Sequence, residues 1–207
     1  MTTSATRSRG NTRARLLEAA AQVFAEVGLD GASVEAVCER AGFTRGAFYS
    51  NFESKDELFL TLAGTLGDAR IAAVRDRVVE LTANGALAAG CDPIELVQDV
   101  MDSGDDDRLS VMMMSEIRIR ALRDEAFGAA YLNGEREMVA SIAQIITDIA
   151  AAGLLTLRLP AEEAARMLMI VWEGMAVRGA MDGLDAAQLR RVGSEELGRL
   201  VTLLLEE

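Results

Sequence analysis

Histidine is absent from this chain of 207 residues, and only two cysteines are present. Histidine is the usual side chain for proton transfer near neutral pH and the commonest ligand of transition metals. The two cysteines, Cys38 and Cys91, lie far apart and form no Cys-x-x-Cys pair, so neither a zinc site nor a disulfide framework is indicated. We therefore expect a reduced, cytoplasmic protein that is not an enzyme and needs no cofactor.

Long apolar runs are also missing, although apolar residues make up 50% of the chain. The densest run, from Met167 to Trp172, is far shorter than the roughly 18 residues that indicate a membrane-spanning helix. The first seventeen residues contain four arginines and no acidic residue, but no apolar segment follows that could serve as the core of a signal peptide. The sequence predicts a protein that does not span the membrane, with a flexible basic arm over residues 1–11.

Acidic side chains outnumber basic ones by 33 to 21, which gives a net charge of -12. The excess is uneven: residues 1–60 carry a net charge of -1, and residues 61–207 carry the remaining -11. At physiological salt, charges separated by more than a Debye length of about 8 Å are largely screened from each other. A cationic face that binds nucleic acid is therefore compatible with the first sixty residues of this acidic chain.

Apolar residues recur at three- and four-residue spacing, and no segment alternates convincingly with a period of two. This pattern predicts an all-α fold. Capping residues, prolines and glycines set the expected boundaries. The expected helices run from Thr12 to Gly28, from Ser33 to Gly42, from Arg45 to Phe52, from Ser54 to about Asn84, from Pro93, from Arg108 to Arg123, from Glu125 to Ala152, from Pro160 to about Met181, and from Asp185 to about Leu205.

The second and third helices are connected very tightly, because the cap Thr44 follows only two residues after the stop Gly42. Two short helices joined in this way indicate a helix-turn-helix. A helix that enters the major groove needs small residues for close approach and long donors for base edges. Arg45 can donate to guanine O6 and N7 together, Gly46 permits close approach, and Tyr49 lies on the same outer face as Arg45.

Three segments together resemble the TetR family of bacterial transcriptional repressors. They are Arg15-Leu16-Leu17-Glu18-Ala19-Ala20, Val23-Phe24-Ala25-Glu26-x-Gly28, and AGFTRGAFYSNFESKDELF from Ala41 to Phe59. The similarity covers residues 12–62, and beyond it only the number and lengths of the helices are similar to the family. The resemblance implies a helix-turn-helix DNA-binding domain over residues 12–58 and a helical ligand-binding and dimerisation domain over residues 59–207.

The resemblance also implies roles for individual residues in the first domain. Thr44, Arg45, Gly46 and Tyr49 are expected at the DNA. Ser33, Asn51 and Lys55 are expected to contact the sugar-phosphate backbone, and Asn51 stands where many family members have histidine. The residues expected in the small core are Phe43, Ala47, Phe48 and Phe52. Because a family dimer places two recognition helices about one DNA turn or a little more apart, the operator is expected to be a pseudo-palindrome.

The larger domain is expected to dimerise and to bind a ligand. The segment from Arg166 to Val177 is apolar on almost every side, so it needs cover on two faces. A second protomer is the natural cover, through the last two helices, as in the resembled family. Methionines and amphipathic aromatics suit an apolar cavity, although they can equally pack the core. The residues predicted to line a site for a small hydrophobic effector are Met101, Met113, Ile117, Phe127, Tyr131, Met169 and Trp172.

Two other interpretations of the sequence stay open. In the first, a helix-turn-helix regulator has no small-molecule effector and is controlled by a protein partner or by abundance. In the second, a helical enzyme uses Asp105, Asp106, Asp107 or Glu116 as acid, base or metal ligand. The three aspartates follow a glycine, a pattern typical of a solvated helix start. The resemblance instead implies a repressor that its effector releases from DNA by shifting the fourth helix.

Overall fold

The computed structural model describes residues 3–83, 85 and 108–206, and the elements within these residues are all α-helices. The predicted all-α class is therefore confirmed. The helices are α1 (Thr3–Gly31), α2 (Val34–Ala41), α3 (Arg45–Tyr49), α4 (Lys55–Ala83), α5 (Arg108–Arg123), α6 (Glu125–Ala151), α7 (Ala161–Met181) and α8 (Ala186–Leu204). Pro93, Cys91, Met101 and the three aspartates at 105–107 lie outside the described residues.

The predicted caps of the helix-turn-helix are confirmed. The Ser33 hydroxyl accepts a hydrogen bond from the Ala36 amide at 3.1 Å and begins α2. Gly42 ends α2 in the left-handed conformation, with φ of 72°, which a glycine adopts without steric cost. The Thr44 hydroxyl accepts from the Ala47 amide at 3.2 Å and begins α3.

Three helix boundaries differ from the sequence prediction, and one of them is the end of α1, which continues past a kink at Gly28 to Gly31. The first helix begins at Thr3 instead of near Thr12, and the absence of proline from residues 3–11 is compatible with this longer helix. The third helix ends at Tyr49 instead of Phe52. The Asn51 side-chain amide donates to the Ala47 carbonyl at 2.8 Å, and it thereby occupies the acceptor that the Asn51 backbone N–H would use in a continued helix.

The chain forms two compact units, and the first contains residues 1–66 and 112–131. This unit contains the predicted DNA-binding segment, residues 12–58, together with residues 112–131, which the sequence analysis assigned to the larger domain. Phe48 and Phe52 are buried in its core as predicted, and the rings of Phe24 and Phe59 meet edge to face with centroids 4.3 Å apart. Its largest fully buried side chains are Phe48, Phe52, Phe59, Leu16, Leu58, Ile117 and Val37.

The second unit contains residues 67–111 and 132–207, and its described part includes the antiparallel pair α7 and α8. Asp185 and Gln188 form a reciprocal capping box that begins α8. The two helices pack closely at glycines: a Cβ on Gly193 would lie 2.7 Å from Trp172 Cζ3, and one on Gly179 would clash with Leu189. Across the described part of the chain, no helix combines the length and hydropathy needed to cross a bilayer.

Candidate functional site

The helix α3 has one face in the core and one face in solvent. Phe48 is fully buried, and its ring contacts that of Tyr49 edge to face at 5.3 Å between centroids. Tyr49 itself is 50% exposed, and Arg45 and Gly46 at the start of the helix are exposed as well. The buried ring fixes the orientation of the helix, so the polar face of α3 is presented outward by a rigid support.

Arg45 is part of a small exposed cluster with a residue of α2. Its Nη1 lies 2.6 Å from Oε1 of Glu35, and its guanidinium carbon lies 5.8 Å from the centroid of the Tyr49 ring. The hydrogen bond with Tyr49 and the charge of Glu35 raise the pKa of Arg45 above its ordinary value. The guanidinium is therefore a permanent cation on the outer face of α3.

Thr44 has a structural role at the start of α3, whereas the fold does not require a glycine at position 46. The Thr44 hydroxyl is engaged as the cap of α3. A Cβ placed on Gly46 would meet its nearest neighbour, Thr44 Oγ1, at 3.7 Å, which is ordinary van der Waals contact. Gly46 also has no positive φ, so neither space within the protein nor backbone conformation demands a glycine at this position.

The three residues expected at the DNA backbone all have partners within the first unit. Ser33 caps α2, and the Asn51 amide donates to the Ala47 carbonyl and to Ser50 Oγ. Lys55 Nζ donates to the carbonyl oxygens of Leu29 and Ala32, both at 3.0 Å. Two of the three ammonium protons of Lys55 therefore satisfy carbonyls after the kink of α1 at Gly28, a structural role that the sequence did not reveal.

Three further cations of this unit also have partners within the fold. Arg13 donates to the Asn51 carbonyl at 2.7 Å and lies over the Phe52 ring at 4.3 Å. Arg15 donates to the Ala41 carbonyl at 2.9 Å, and Arg40 makes two hydrogen bonds to the Glu26 carboxylate. These contacts join residues that are distant in sequence, so only the folded structure could identify them.

The segment 112–131 is tied to the beginning of α4 by an ion pair. Arg120 Nη2 lies 2.8 Å from Asp56 Oδ2 and 3.3 Å from Asp124 Oδ2. The hydrogen bond with Asp56 is the main cause that raises the pKa of Arg120. Arg123 lies 3.4 Å from Asp30 at the end of α1. This segment of α5 and α6 is thus part of the unit that carries α3.

The residues predicted to bind a ligand fall into both units. Met113, Ile117, Phe127 and Tyr131 belong to the buried core of the first unit, while Met169 and Trp172 lie on α7 in the second. Trp172 lines a cavity of about 160 Å³ within the second unit. The other residues lining it are Val111, Met175, Ala176, Arg178, Gly179, Asp182, Leu184, Leu189, Val192 and Gly193.

Large apolar side chains are exposed on α7 and α8 of the single chain. Ile170 is 64% exposed, and Met167 and Met181 on the same helix are also exposed. On α8, Val192 and Leu203 are exposed. This agrees with the prediction that the apolar segment from Arg166 to Val177 is not fully covered by its own chain.

Both the N-terminal and the C-terminal part of the chain match models of known protein families. Residues 16–62 match the model for bacterial regulatory proteins of the tetR family, and residues 95–202 match that for the C-terminal part of BetI-type transcriptional repressors. The first match covers the whole helix-turn-helix. The second covers more than half of the chain.

Individual relatives are transcriptional repressors. The repressor AcnR of Corynebacterium efficiens is 45% identical over 53 residues, which span 26% of this chain and only 28% of that relative. AcnR of Corynebacterium diphtheriae is 28% identical over 181 residues, 87% of this chain and 86% of the relative. Among solved structures, FadR of Thermus thermophilus, a TetR-family repressor in complex with lauroyl-CoA, has a TM-score of 0.63 at 21% identity and covers 94% of this chain and 96% of its own.

Proposed function

The chain belongs to the TetR family of bacterial regulatory proteins, and from this premise we propose that it is a cytoplasmic repressor that a small hydrophobic molecule releases from a pseudo-palindromic operator. Regulators of the family bind DNA operators and ligands and act as dimers. The observation that carries the proposal for this chain is the two-sided helix α3. Phe48 anchors it in the core, and Arg45 and Tyr49 are exposed on its outer face.

Arg45 is the residue proposed to read the operator. A guanidinium has five N–H donors, and its contact to Glu35 uses one terminal nitrogen, Nη1. The planar group can therefore donate to guanine O6 and N7 in the major groove, a pairing worth about 1–3 kcal/mol of discrimination against other bases. Tyr49, half-exposed on the same face, is proposed to donate its hydroxyl proton to a phosphate oxygen.

Thr44, Gly46, Ser33, Asn51 and Lys55 complete the proposed DNA surface. The fold itself does not need a glycine at position 46. We therefore assign Gly46 to DNA binding, where the missing side chain would allow the DNA backbone to approach α3 closely. The others are proposed to position the protein on phosphates without reading sequence. Lys55 retains one ammonium proton for this purpose beyond those donated to the Leu29 and Ala32 carbonyls.

The DNA site can be tested with alanine variants of its two central residues. The operator is a duplex that the wild-type chain selects from a pool of random sequences. Arg45→Ala and Tyr49→Ala should each weaken binding to this duplex at least tenfold, as expected for about 1.4 kcal/mol or more, while sedimentation shows an intact dimer. The matched control is Arg40→Ala, which removes an exposed arginine of α2 that pairs with Glu26 of α1. Unchanged binding by both site variants would remove the proposed site.

The proposed dimer forms through α7 and α8 of two chains. Met167, Ile170, Gly174 and Met181 follow one another on α7 at spacings of three, four and seven residues, so they share one face of the helix. All four are exposed in the single chain. Pairing this face with its copy across a twofold axis would remove these exposed apolar side chains from water.

The proposed effector is small and apolar. The cavity in the second unit has aromatic and aliphatic walls, with Arg178 and Asp182 as its charged residues. The four buried residues of the first unit, Met113, Ile117, Phe127 and Tyr131, and Met169 and Met101 remain predictions as ligand contacts. A shift of an operator-bound population from 99% to 1% needs about 5.5 kcal/mol of differential ligand binding.

Trp172 provides a direct test, because it is the single tryptophan of the chain and lines the cavity. A panel of small lipophilic compounds, with lauroyl-CoA included, is titrated against the protein. An effector should change the Trp172 fluorescence, raise the melting temperature and release the operator together. Silence in all three measurements favours the alternative in which a protein partner or abundance controls the regulator.

A further inference from the structure

Glu35 is the acidic residue in contact with the proposed base-reading arginine. It lies in the first turn of α2, and its Oε1 is 2.6 Å from Nη1 of Arg45 at the start of α3. Both side chains are more than half exposed. An exposed ion pair contributes little to folding stability, so the pair is not explained by a need to hold α2 against α3.

Arg45 differs in its partners from the other cations of the helix-turn-helix. Arg13, Arg15 and Lys55 donate to backbone carbonyls, so those groups also stabilise the fold. Arg40 makes two hydrogen bonds to one carboxylate at a position away from α3. The Arg45 guanidinium is exposed on α3 and its partners are two side chains, the Glu35 carboxylate and Tyr49, so it can exchange partners without disturbing the backbone.

A phosphate and a guanine edge affect this ion pair differently. A phosphate oxygen is anionic, so its approach to Arg45 brings a second negative charge beside the Glu35 carboxylate. Guanine O6 and N7 are neutral acceptors, so Arg45 can donate to them while Nη1 stays with Glu35. The Glu35 carboxylate therefore weakens the contact of Arg45 with phosphates, which carry no sequence information. It leaves the contact of Arg45 with guanine, which does carry sequence information, available.

We propose that Glu35 is a positioning residue that sets operator specificity by holding and neutralising Arg45, so that Arg45 donates to a guanine edge in preference to a phosphate of unrelated DNA. The inference rests on the proposed function of α3 as the recognition helix. Glu35 does not touch the bases. It acts through Arg45 and limits the binding of α3 to phosphates of unrelated DNA.

The test uses Glu35→Gln, which removes the charge and keeps the shape of the side chain. Affinity is measured by fluorescence anisotropy at several salt concentrations for the selected operator duplex and for a shuffled duplex of equal length. One added phosphate contact steepens the plot of log K against log salt by about 0.9, which corresponds to about an eightfold gain in affinity at 0.1 M salt. Because the proposed dimer carries two copies of Arg45, we expect at least this gain for the shuffled duplex and a smaller one for the operator, so the ratio of the two affinities falls by about fivefold or more.

Two controls separate a role through Arg45 from a general effect of charge. Glu39→Gln removes the same charge one turn further along α2, where the side chain is also exposed, and it should change the affinity ratio less than twofold. In the Arg45→Gln background, Glu35→Gln should have no more effect than Glu39→Gln, because the arginine that it releases is gone. A residue with only a structural role would not produce this dependence on Arg45.

The outcomes also separate this inference from the proposed function. If Arg45→Gln loses operator binding but Glu35→Gln behaves like Glu39→Gln, the role of Glu35 is refuted and the site stands. An effect of Glu35→Gln that persists in the Arg45→Gln background refutes it as well. If Arg45→Gln binds the operator as tightly as the wild type does, the proposed site and the role of Glu35 both fail.

Discussion

Within α3, Phe48 stabilises the fold and the exposed residues Arg45, Gly46 and Tyr49 are proposed to contact DNA, while the preceding cap Thr44 is assigned both roles. Thr44 caps the helix and Phe48 is buried beneath it, whereas Arg45, Gly46 and Tyr49 face solvent. Because Arg45, Gly46 and Tyr49 neither cap the helix nor lie in the core, substitutions at these three residues can change DNA binding without unfolding the protein.

Gly46→Ala tests this separation at a single residue. The added methyl group meets no atom of the fold closer than 3.7 Å, and alanine favours helix over glycine by about 0.5–1 kcal/mol. We expect unchanged or slightly higher stability in urea denaturation and a loss of operator affinity of at least tenfold. Wild-type affinity would show that Gly46 does not lie at the closest approach to DNA.

Gly42→Ala is the control with the opposite expectation. Gly42 ends α2 with φ of 72°, a conformation that alanine adopts only with strain, so the same chemical change should cost about 1 kcal/mol or more of folding free energy.

The sequence predicted the local features of the site and missed the distant ones. Ser33, Gly42 and Thr44 could be assigned as caps because capping depends on residues within one turn. The partners of Arg45 and Lys55 could not, since Glu35 lies on another helix, and the Leu29 and Ala32 carbonyls lie in the last turn of α1 and directly after it. Hydrogen bonds and ion pairs between residues of different helices depend on how those helices pack in the folded protein.

Most helix boundaries follow from capping and breaking residues, and the exceptions have identifiable causes. The long helix α6 stops before Gly153, and α8 begins after Asp185 as predicted. The early end of α3 depends on the side-chain hydrogen bond of Asn51 to Ala47. The place of residues 112–131 in the first unit depends on burial of Ile117 and on the Arg120–Asp56 pair, which no local pattern reveals.

Gly193→Ala should destabilise the pair α7 and α8. The new methyl group would lie 2.7 Å from Trp172 Cζ3, and overpacking of this kind typically costs about 1–3 kcal/mol. Gly134→Ala on α6 is the matched control, because nothing lies within 4 Å of its added carbon. Urea denaturation should show a lower midpoint for the first variant and an equal or higher one for the second. Equal midpoints for Gly193→Ala and the wild type would contradict close packing of these helices.

At the scale of the whole molecule, charge is distributed unevenly along the chain. The first sixty residues are almost neutral, and the acidic excess lies in residues 61–207. Exposed apolar side chains occur on α7 and α8, where a second chain is proposed to bind.

Ile170→Glu should convert the proposed dimer to a monomer. Ile170 is 64% exposed in the single chain, so a carboxylate is tolerated there by the fold but is unfavourable in an apolar interface. Leu122→Glu, on α5 at 88% exposure, is the control and should remain dimeric. Sedimentation velocity distinguishes the species. A dimeric Ile170→Glu protein would place the interface elsewhere.

Guanine methylation interference on the selected operator tests most directly the claim that two copies of α3 read DNA through Arg45. Methylation of N7 removes one of the two acceptors that an arginine needs. Binding should be blocked by methylation at guanines in two symmetric half-sites about one helical turn or a little more apart, and Arg45→Ala should lose this sensitivity at one guanine per half-site. Binding that is indifferent to N7 methylation, or sensitive in one half-site alone, would contradict the claim.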